Sequence, residues 1–526
     1  MSVRLPLAIA ASILAVMGLI TIGTVDADSE DEFVEGGFTF IVTSGGLTVT
    51  LYDSSVGGPF CDIPSVVTHD GVDYPVTHIS AFSFYDNDTL TVQIPKSVLS
   101  IESLSFMSPS IVSISVSDEN TEFCSLDGIL YDKGMNKLIA YPKANPEDQY
   151  YMPHTVVMME DHVLESCLNL QEVWINASIK VIPKFAFAGC SNLQYINAVS
   201  GINYLPSSLK VIDVGAFYDC PKLESIVLPD NLLSIGADAF SGTGIKTVTI
   251  PENLTYISGS SFSKCGELEQ FESNNPNFVA KNGVLYEKME YRYSLLSYPC
   301  GCKEKVFNIP SYVTYLEPRS FTGCVYLEEV RFSSGLSSVS QDSFYSCKSL
   351  KKVILSNDIL VLDSYCFGDC QNLTEIEFGN RIAGIGPYAL YNTGFTSITF
   401  PESVSLLDEY CLMGCQKLET VYISGETVEL EIGAFMECKA LKDIWLTGTE
   451  ITFSDGSLNI GVIDERCYST VHVHKGVNVP YDAVTNTNTV ITVEIIGERP
   501  YPYENLFAAA ICVLIVIIII RAVGNV

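Results

Sequence analysis

Phe321-Thr-Gly-Cys324, Phe344-Tyr-Ser-Cys347, Phe367-Gly-Asp-Cys370, Leu390-Tyr-Asn-Thr393, Leu412-Met-Gly-Cys415 and Phe435-Met-Glu-Cys438 are one phrase written six times, at steps of 23, 23, 23, 22 and 23 residues. The phrase also stands upstream, at Phe187-Ala-Gly-Cys190, Phe217-Tyr-Asp-Cys220, Phe240-Ser-Gly-Thr243 and Phe262-Ser-Lys-Cys265. A fixed period of this length marks a solenoid, because each unit is too small to bury a core alone and must stack on its neighbours. Architecture is thereby decided first, and function is pushed toward binding over an extended face.

One unit reads Ser234-Ile-Gly-Ala-Asp-Ala-Phe-Ser-Gly-Thr-Gly-Ile-Lys-Thr-Val-Thr-Ile-Pro251. Ile235, Ala239 and Phe240 point inward from an irregular or short helical segment. Ile245, Val248 and Ile250 follow at strand spacing, and Pro251 ends the strand because it has no N–H to donate. The frame returns as Leu223-Glu-Ser-Ile226-Val-Leu228-Pro229, Leu350-Lys-Lys-Val353-Ile-Leu355 and Phe395-Thr-Ser-Ile398-Thr-Phe400-Pro401. Apolar residues two apart predict short strands with one buried face, stacked into a parallel sheet. About 13 units fit between Val76 and Leu446, and at about 4.8 Å per strand they make a rod or arc roughly 60 Å long.

The Ile-Gly-x-x-Ala-Phe-x-x-Cys/Thr block and the Leu-x-x-Ile-x-Leu-Pro block resemble the leucine-rich repeat of the BspA-like subfamily of bacterial, archaeal and protist surface proteins. A second signature supports the resemblance. Phe123-Cys-Ser-Leu-Asp-Gly-Ile-Leu-Tyr131 with Leu138-Ile-Ala-Tyr-Pro142 matches Phe278-Val-Ala-Lys-Asn-Gly-Val-Leu-Tyr286 with Leu295-Leu-Ser-Tyr-Pro299. Each reads as a hairpin inserted between repeats, as recurs in that subfamily. The resemblance covers roughly residues 38–450. It implies an α/β-type repeat solenoid, mostly β with short helical or irregular segments, with a parallel sheet on one face. For function it implies cell-surface adhesion or recognition, with no fixed ligand and no catalytic residues to carry over.

The expected organisation is a signal peptide at 1–27, an N-terminal β cap at 28–75, the solenoid at 76–450 with inserts near 120–142 and 275–299, and a C-terminal cap at 451–497. A Pro-containing linker at 498–505, a transmembrane helix at 506–523 and a short cytoplasmic tail at 524–526 complete it. Met1-Ser-Val-Arg4 followed by the apolar run Leu5 to Ile22, with Val25-Asp-Ala27 as a small-residue cleavage site, reads as a secretory signal, an uncleaved anchor being the alternative. Leu506 to Ile520 is uninterrupted by charge and followed by Arg521. It reads as a single membrane span, with a removable lipid-anchor tail as runner-up. Arg4 and Arg521 both mark the cytoplasmic side and put everything between them outside.

With 29 basic against 62 acidic residues and a net charge of −33, nucleic acid is excluded as a partner on sign. No Gly-rich phosphate loop, His-Glu-x-x-His or Gly-x-Ser-x-Gly occurs, so neither an enzyme nor a cofactor is expected. Asn87, Asn176, Asn253 and Asn372 head Asn-x-Ser/Thr sequons and are candidate glycosylation sites.

Seventeen cysteines in an exported chain invite a disulfide reading. The repeat column opposes it. Cys167, Cys190, Cys220, Cys265, Cys324, Cys347, Cys370, Cys415 and Cys438 share one position, and Thr243 and Thr393 fill it in two other units. Threonine cannot form a bridge but fits a small buried slot with a hydrogen-bonding group, so these are read as core thiols. Cys366 and Cys411 replace the Ala of the Ala-Phe pair, while Cys61, Cys124, Cys300, Cys302 and Cys467 have no evident repeat role. His472 and His474 sit two apart like half a metal site, but with no third ligand nearby they are read as a solvated strand face.

The strand residues that alternate with the buried ones face outward and form the candidate ligand row. Trp174 and Trp445, the only tryptophans, both fall just after the buried Val or Ile, and Tyr422 shares that register. Exposed aromatics on a sheet are favoured interaction anchors; covering an insert or the C-terminal cap is the alternative. Glu329, Arg331, Lys352, Glu375 and Glu377 fill the middle of the row with both signs, which also describes a merely solvated face. The expected function is a cell-surface protein binding proteins or glycans of another cell or matrix through this face. A self-associating envelope coat without a foreign ligand is the alternative.

Overall fold

The computed structural model describes residues 32–85, 87–460, 467–485, 489–496 and 518–520. The signal segment 1–27 and nearly all of the 506–523 run lie outside them. Ile518–Ile520 are the exception, and they form a strand antiparallel to Ile491–Val493, not helix. Among the described residues no helix is long and apolar enough to cross a membrane.

The repeats form two parallel β ladders. The longer strands make one, as in Val306–Asn308, Glu329–Arg331, Lys352–Ile354 and Glu375–Glu377, joined in register one coil apart. Ser397–Phe400, Thr420–Ile423, Asp443–Leu446, Cys467–His474 and Thr489–Ile496 continue this long ladder into the C-terminal cap. A second, short ladder is built from strands of mostly two residues, such as Ser338–Val339, Val361–Leu362, Gly384–Ile385 and Leu406–Leu407. At the N-terminus, Glu32–Glu35, Phe38–Thr43 and Gly46–Tyr52 form an antiparallel meander. Its last strand turns parallel to Val72–Ile79 and closes the short ladder.

Of the helical or irregular segments expected between ladders, only irregular turns occur, and the α/β expectation gives way to a β-solenoid with almost no helix. Only Ser54–Gly57 is α-helical and Tyr481–Ala483 a 3₁₀ turn among the described residues. The reason is backbone chirality. Most turns contain two left-handed residues four apart, as at Asp342 and Ser346, Tyr365 and Asp369, and Tyr388 and Asn392. A right-handed helix cannot pass through such a residue, so the segment folds into successive tight turns. Amides of each turn bond to carbonyls of the next coil instead: Phe344 N–H to Cys366 O at 2.8 Å, and Phe367 N–H to Ala389 O at 2.9 Å.

The core is a set of columns. Phe187, Phe217, Phe240 and Phe262 stack at 5.1, 5.3 and 5.1 Å with nearly parallel planes. Tyr298, Phe321, Phe344 and Phe367 do the same further on. Beside them runs the cysteine column. Most of its thiols donate to the carbonyl of the aromatic or leucine one coil earlier, as Cys347 to Phe321 O, Cys370 to Phe344 O and Cys438 to Leu412 O, each at 3.1 Å. Thr243 and Thr393 donate instead to Phe240 O and Leu390 O of their own coil, at 2.8 and 2.9 Å. The slot therefore selects a small side chain with one hydrogen to give. All sixteen described cysteines are free. Cys300 also belongs to the column: Tyr298 takes the aromatic place in its coil, and Cys324 Sγ donates to Cys300 Sγ at 3.1 Å.

Two antiparallel three-stranded inserts, 123–140 and 278–297, interrupt the stack, and the third strand of each is itself a rung of the short ladder. A buried asparagine launches each one. Asn275 Oδ1 accepts from Asn277 N–H and Phe278 N–H at 2.9 and 3.0 Å, while its amide reaches Pro251 O and Leu254 O. Asn120 repeats this with Glu122, Phe123, Pro95 and Val98. The inserts divide the apolar interior into three segments, from Phe38 to Leu130, from Ile129 to Leu296 and from Val284 to Val493.

Candidate binding face

The long ladder alternates as a half-buried sheet must: Thr247 and Thr249 are exposed while Val248 and Ile250 are buried, and Ser397 to Phe400 repeat the pattern. Parallel register places equivalent outward residues of neighbouring coils side by side, so side chains on this face form ladders of their own.

Two of these ladders are aromatic. Trp174, 36% exposed, lies in register with Tyr151, which the frame-based row omitted; their rings stand 6.2 Å apart and almost parallel. Trp174 Nε1 donates to Glu172 Oε1 at 2.8 Å. At the other end Tyr422 stacks on Trp445 at 6.1 Å, and Trp445 on His472 at 3.7 Å. Tyr422 is 41% exposed, Trp445 half-buried and His472 only 6% exposed. The reading of His472 as part of a solvated face is corrected: the ring is covered by Trp445 and clamped by two carboxylates. Nε2 lies 2.9 Å from Asp443 Oδ1 and Nδ1 3.2 Å from Glu494 Oε2. His472 and Glu494 come from the C-terminal cap, so Trp445 helps seat that cap while remaining partly exposed. Among the described residues no group of three metal-binding side chains occurs.

The charged middle of the row is internally paired. Arg331 Nε donates to Glu329 Oε1 at 2.6 Å, and Lys352 Nζ reaches Glu377 and Glu375 at 2.6 and 3.2 Å. Such surface pairs add little stability, and they leave Arg331 and Lys352 already engaged. In the adjacent row, Lys305 and Lys351 flank Glu328 and hold its carboxyl down at about 2.

The four sequon asparagines are structural donors. Asn87 Nδ2 donates to Tyr52 O at 3.1 Å, Asn176 to His154 O at 2.6 Å, Asn253 to Asp230 O at 3.0 Å and Asn372 to Lys348 O at 2.7 Å. Asn169, Asn192 and Asn231, which head no sequon, donate to Asn145 O, Leu168 O and Ser207 O in the same way. Asparagine thus has a reason to stand at these turns that is independent of any sugar.

The sequence model of the family described as the BspA type leucine rich repeat region matches in six copies, over residues 63–126, 148–209, 202–288, 298–419 and 362–469. Among solved structures the chain is similar to a leucine rich cell surface protein from Faecalibacterium prausnitzii, with 23% identity over 83% of this chain and 99% of that one and a TM-score of 0.44. It is also similar to a leucine-rich repeat protein from Bacteroides ovatus, with 22% identity over 79% and 94% and a TM-score of 0.31. The pneumococcal vaccine antigen PcpA is 17% identical over 90% and 99%, with a TM-score of 0.39. No curated protein matches the chain. Matched over most of its length, and with the predicted two-block unit present in the ladders and columns described above, the chain belongs to the BspA-type leucine-rich-repeat family.

Proposed function

We propose that the chain is a cell-surface recognition protein that holds a protein or glycan against the outward face of its long ladder. The observation that carries this is the pair of aromatic ladders, Tyr151–Trp174 and Tyr422–Trp445–His472, set toward either end of a face that also carries short polar residues, self-paired charges and single exposed apolar residues such as Tyr195 and Val306. Rings in register lose little conformational freedom when a partner docks, and their free edges and terminal faces supply apolar contact beside polar groups. Binding on such a rigid curved face sums many weak contacts; no bond is made or broken. Display outside the cell, through export by 1–27 and attachment by 506–523, is part of the proposal and rests on the composition of those runs.

The test is binding of the full chain, held in detergent, to arrayed glycans, matrix proteins and intact cells, beside the Trp174→Ala/Trp445→Ala variant. Selective binding that the variant loses while keeping its circular dichroism spectrum supports the reading. Association only with further copies of itself overturns it in favour of an envelope coat.

A further inference from the structure

The short ladder carries a groove of its own, remote in register from the aromatic row. It has a volume of about 480 Å³ and runs across five successive coils, from Tyr315 and Pro318 to Asp408. This lies within the usual range for sites that enclose a ligand. Val361, Pro318 and Pro387 supply its accessible apolar lining, and Leu362 lies wholly buried beneath them. Gly384 pairs in register with Val361, and a Cβ added there would meet only the Val361 methyls, at 3.8 Å. A side chain added at Gly384 would therefore lie against Val361, which lines the groove.

The groove is acidic and apolar together. Asp363 and Asp408 line it, each directly after a short-ladder strand and two coils apart, hence roughly 10 Å from each other at the strand spacing. No basic residue lines it. Arg319, in the neighbouring turn, is already bridged to Asp238 at 2.7 Å and Asp342 at 3.4 Å. Asp363 is half-buried, and burial pushes its carboxyl up. Ser340, also in the lining, is 3% exposed and its hydroxyl has no hydrogen-bond partner. The wall thus offers two partly buried carboxylates beside Val361 and Pro387, with the unpartnered Ser340 hydroxyl buried beneath it.

We propose that this groove is a second binding site, which takes an extended basic peptide segment lying along the solenoid axis. Its lysine or arginine heads meet Asp363 and Asp408 while their aliphatic stems cover Val361 and Pro387. Long cationic side chains are amphipathic in this sense, with an apolar stem and a charged tip. A glycan would want ring faces, and the groove offers one exposed ring, Tyr315, at its end. The site is separate from the long-ladder face and does not depend on it.

The experiment is fluorescence anisotropy of the full chain with a labelled six-residue peptide of alternating lysine and alanine, and with its glutamate counterpart. Three variants run alongside: Asp363→Asn/Asp408→Asn, Gly384→Val, and Trp174→Ala/Trp445→Ala. The lysine peptide should bind, lose affinity steeply as salt is raised toward about 0.5 M, and weaken at least about tenfold in the first two variants. The tryptophan variant should bind it as the parent does. Gly384→Val adds bulk against Val361 without changing charge, so it tests shape even if the charge variant loses structure. Equal binding of both peptides, or unchanged affinity in Gly384→Val and the aspartate variant, would overturn the proposal as general attraction to an acidic surface. Displacement of the peptide by a neutral glycan would overturn it in favour of a sugar site.

Discussion

Replacing Asn275 by alanine should break the solenoid at a joint. The side chain is 5% exposed and reaches five backbone groups: it accepts from Asn277 and Phe278 N–H, and donates to Pro251, Glu252 and Leu254 carbonyls at 2.9, 3.0 and 2.8 Å. Two amide hydrogens serve three carbonyls, so about four full hydrogen bonds are lost. At about 1 kcal/mol net each, and with buried groups left unpaired, the cost is about 4 kcal/mol. That is comparable with the whole stability margin of an ordinary domain. In a nearest-neighbour array the loss falls where the asparagine sits, between the middle and last core segments. Urea unfolding of the full chain, followed by the fluorescence of Trp174 in the middle segment and Trp445 in the last, reads it directly. Trp174→Phe and Trp445→Phe backgrounds separate the two signals. Asn120→Ala, at the other joint and 1% exposed, should cost as much. A loss below about 1 kcal/mol at both positions would refute the reasoning that these side chains hold the inserts in place.

Three further outcomes are expected. Cys370→Thr should move the urea midpoint by less than about 1 kcal/mol, as Thr243 and Thr393 already occupy that slot, whereas Cys370→Leu should cost about 1–3 kcal/mol by overpacking; a mass map of the unreduced protein with bridges inside the column would contradict the first. Glu328 is held well below the ordinary carboxylate range, at about 2, by hydrogen bonds and charge from Lys305 and Lys351. Its contribution is therefore present above the ordinary value of 4.5 and lost as pH falls toward about 2, so melting temperatures taken across that window should fall less steeply in Glu328→Gln than in the parent. Finally, a double-mutant cycle between Trp445→Ala and His472→Ala should give a coupling of about 1–2 kcal/mol by thermal or urea unfolding, and additivity would show that the stacked rings do not support one another.

Much of this molecule is legible in its sequence because the period repeats one physical demand. The alternation of Val248 and Ile250 with threonines, and the exchange of cysteine for threonine in one slot, report the long ladder and the thiol column without coordinates. The short ladder is not legible, since a two-residue strand such as Val361–Leu362 carries no alternation to read. The helical expectation failed for a related reason. Tyr365, Tyr388 and Arg319 stand in the left-handed region, where their residue type gives no sign of it; glycine or asparagine would have. On the binding face, Trp174, Tyr422 and Trp445 were legible from register, but Tyr151 follows an insert that shifts the frame. Glu494 and His472 meet across cap strands that the repeat does not predict. Asn120 and Asn275 share an Asn-x-x-Phe spacing with their hairpins, a signal present twice and easily lost among many asparagines.

The division of the interior into three segments has a mechanical consequence. A chain fixed at one end and loaded at the other transmits force through every coil in series, and a continuous column would yield by peeling from a terminus to the far end. Here each insert interposes antiparallel strands and a pinned asparagine between one stretch of stacked rings and the next. A rupture begun in one stretch meets a barrier at the joint, so extension under load should release length in up to three discrete increments. Each stretch that still holds keeps its own outward surface, and an attachment made there survives the yielding of its neighbours.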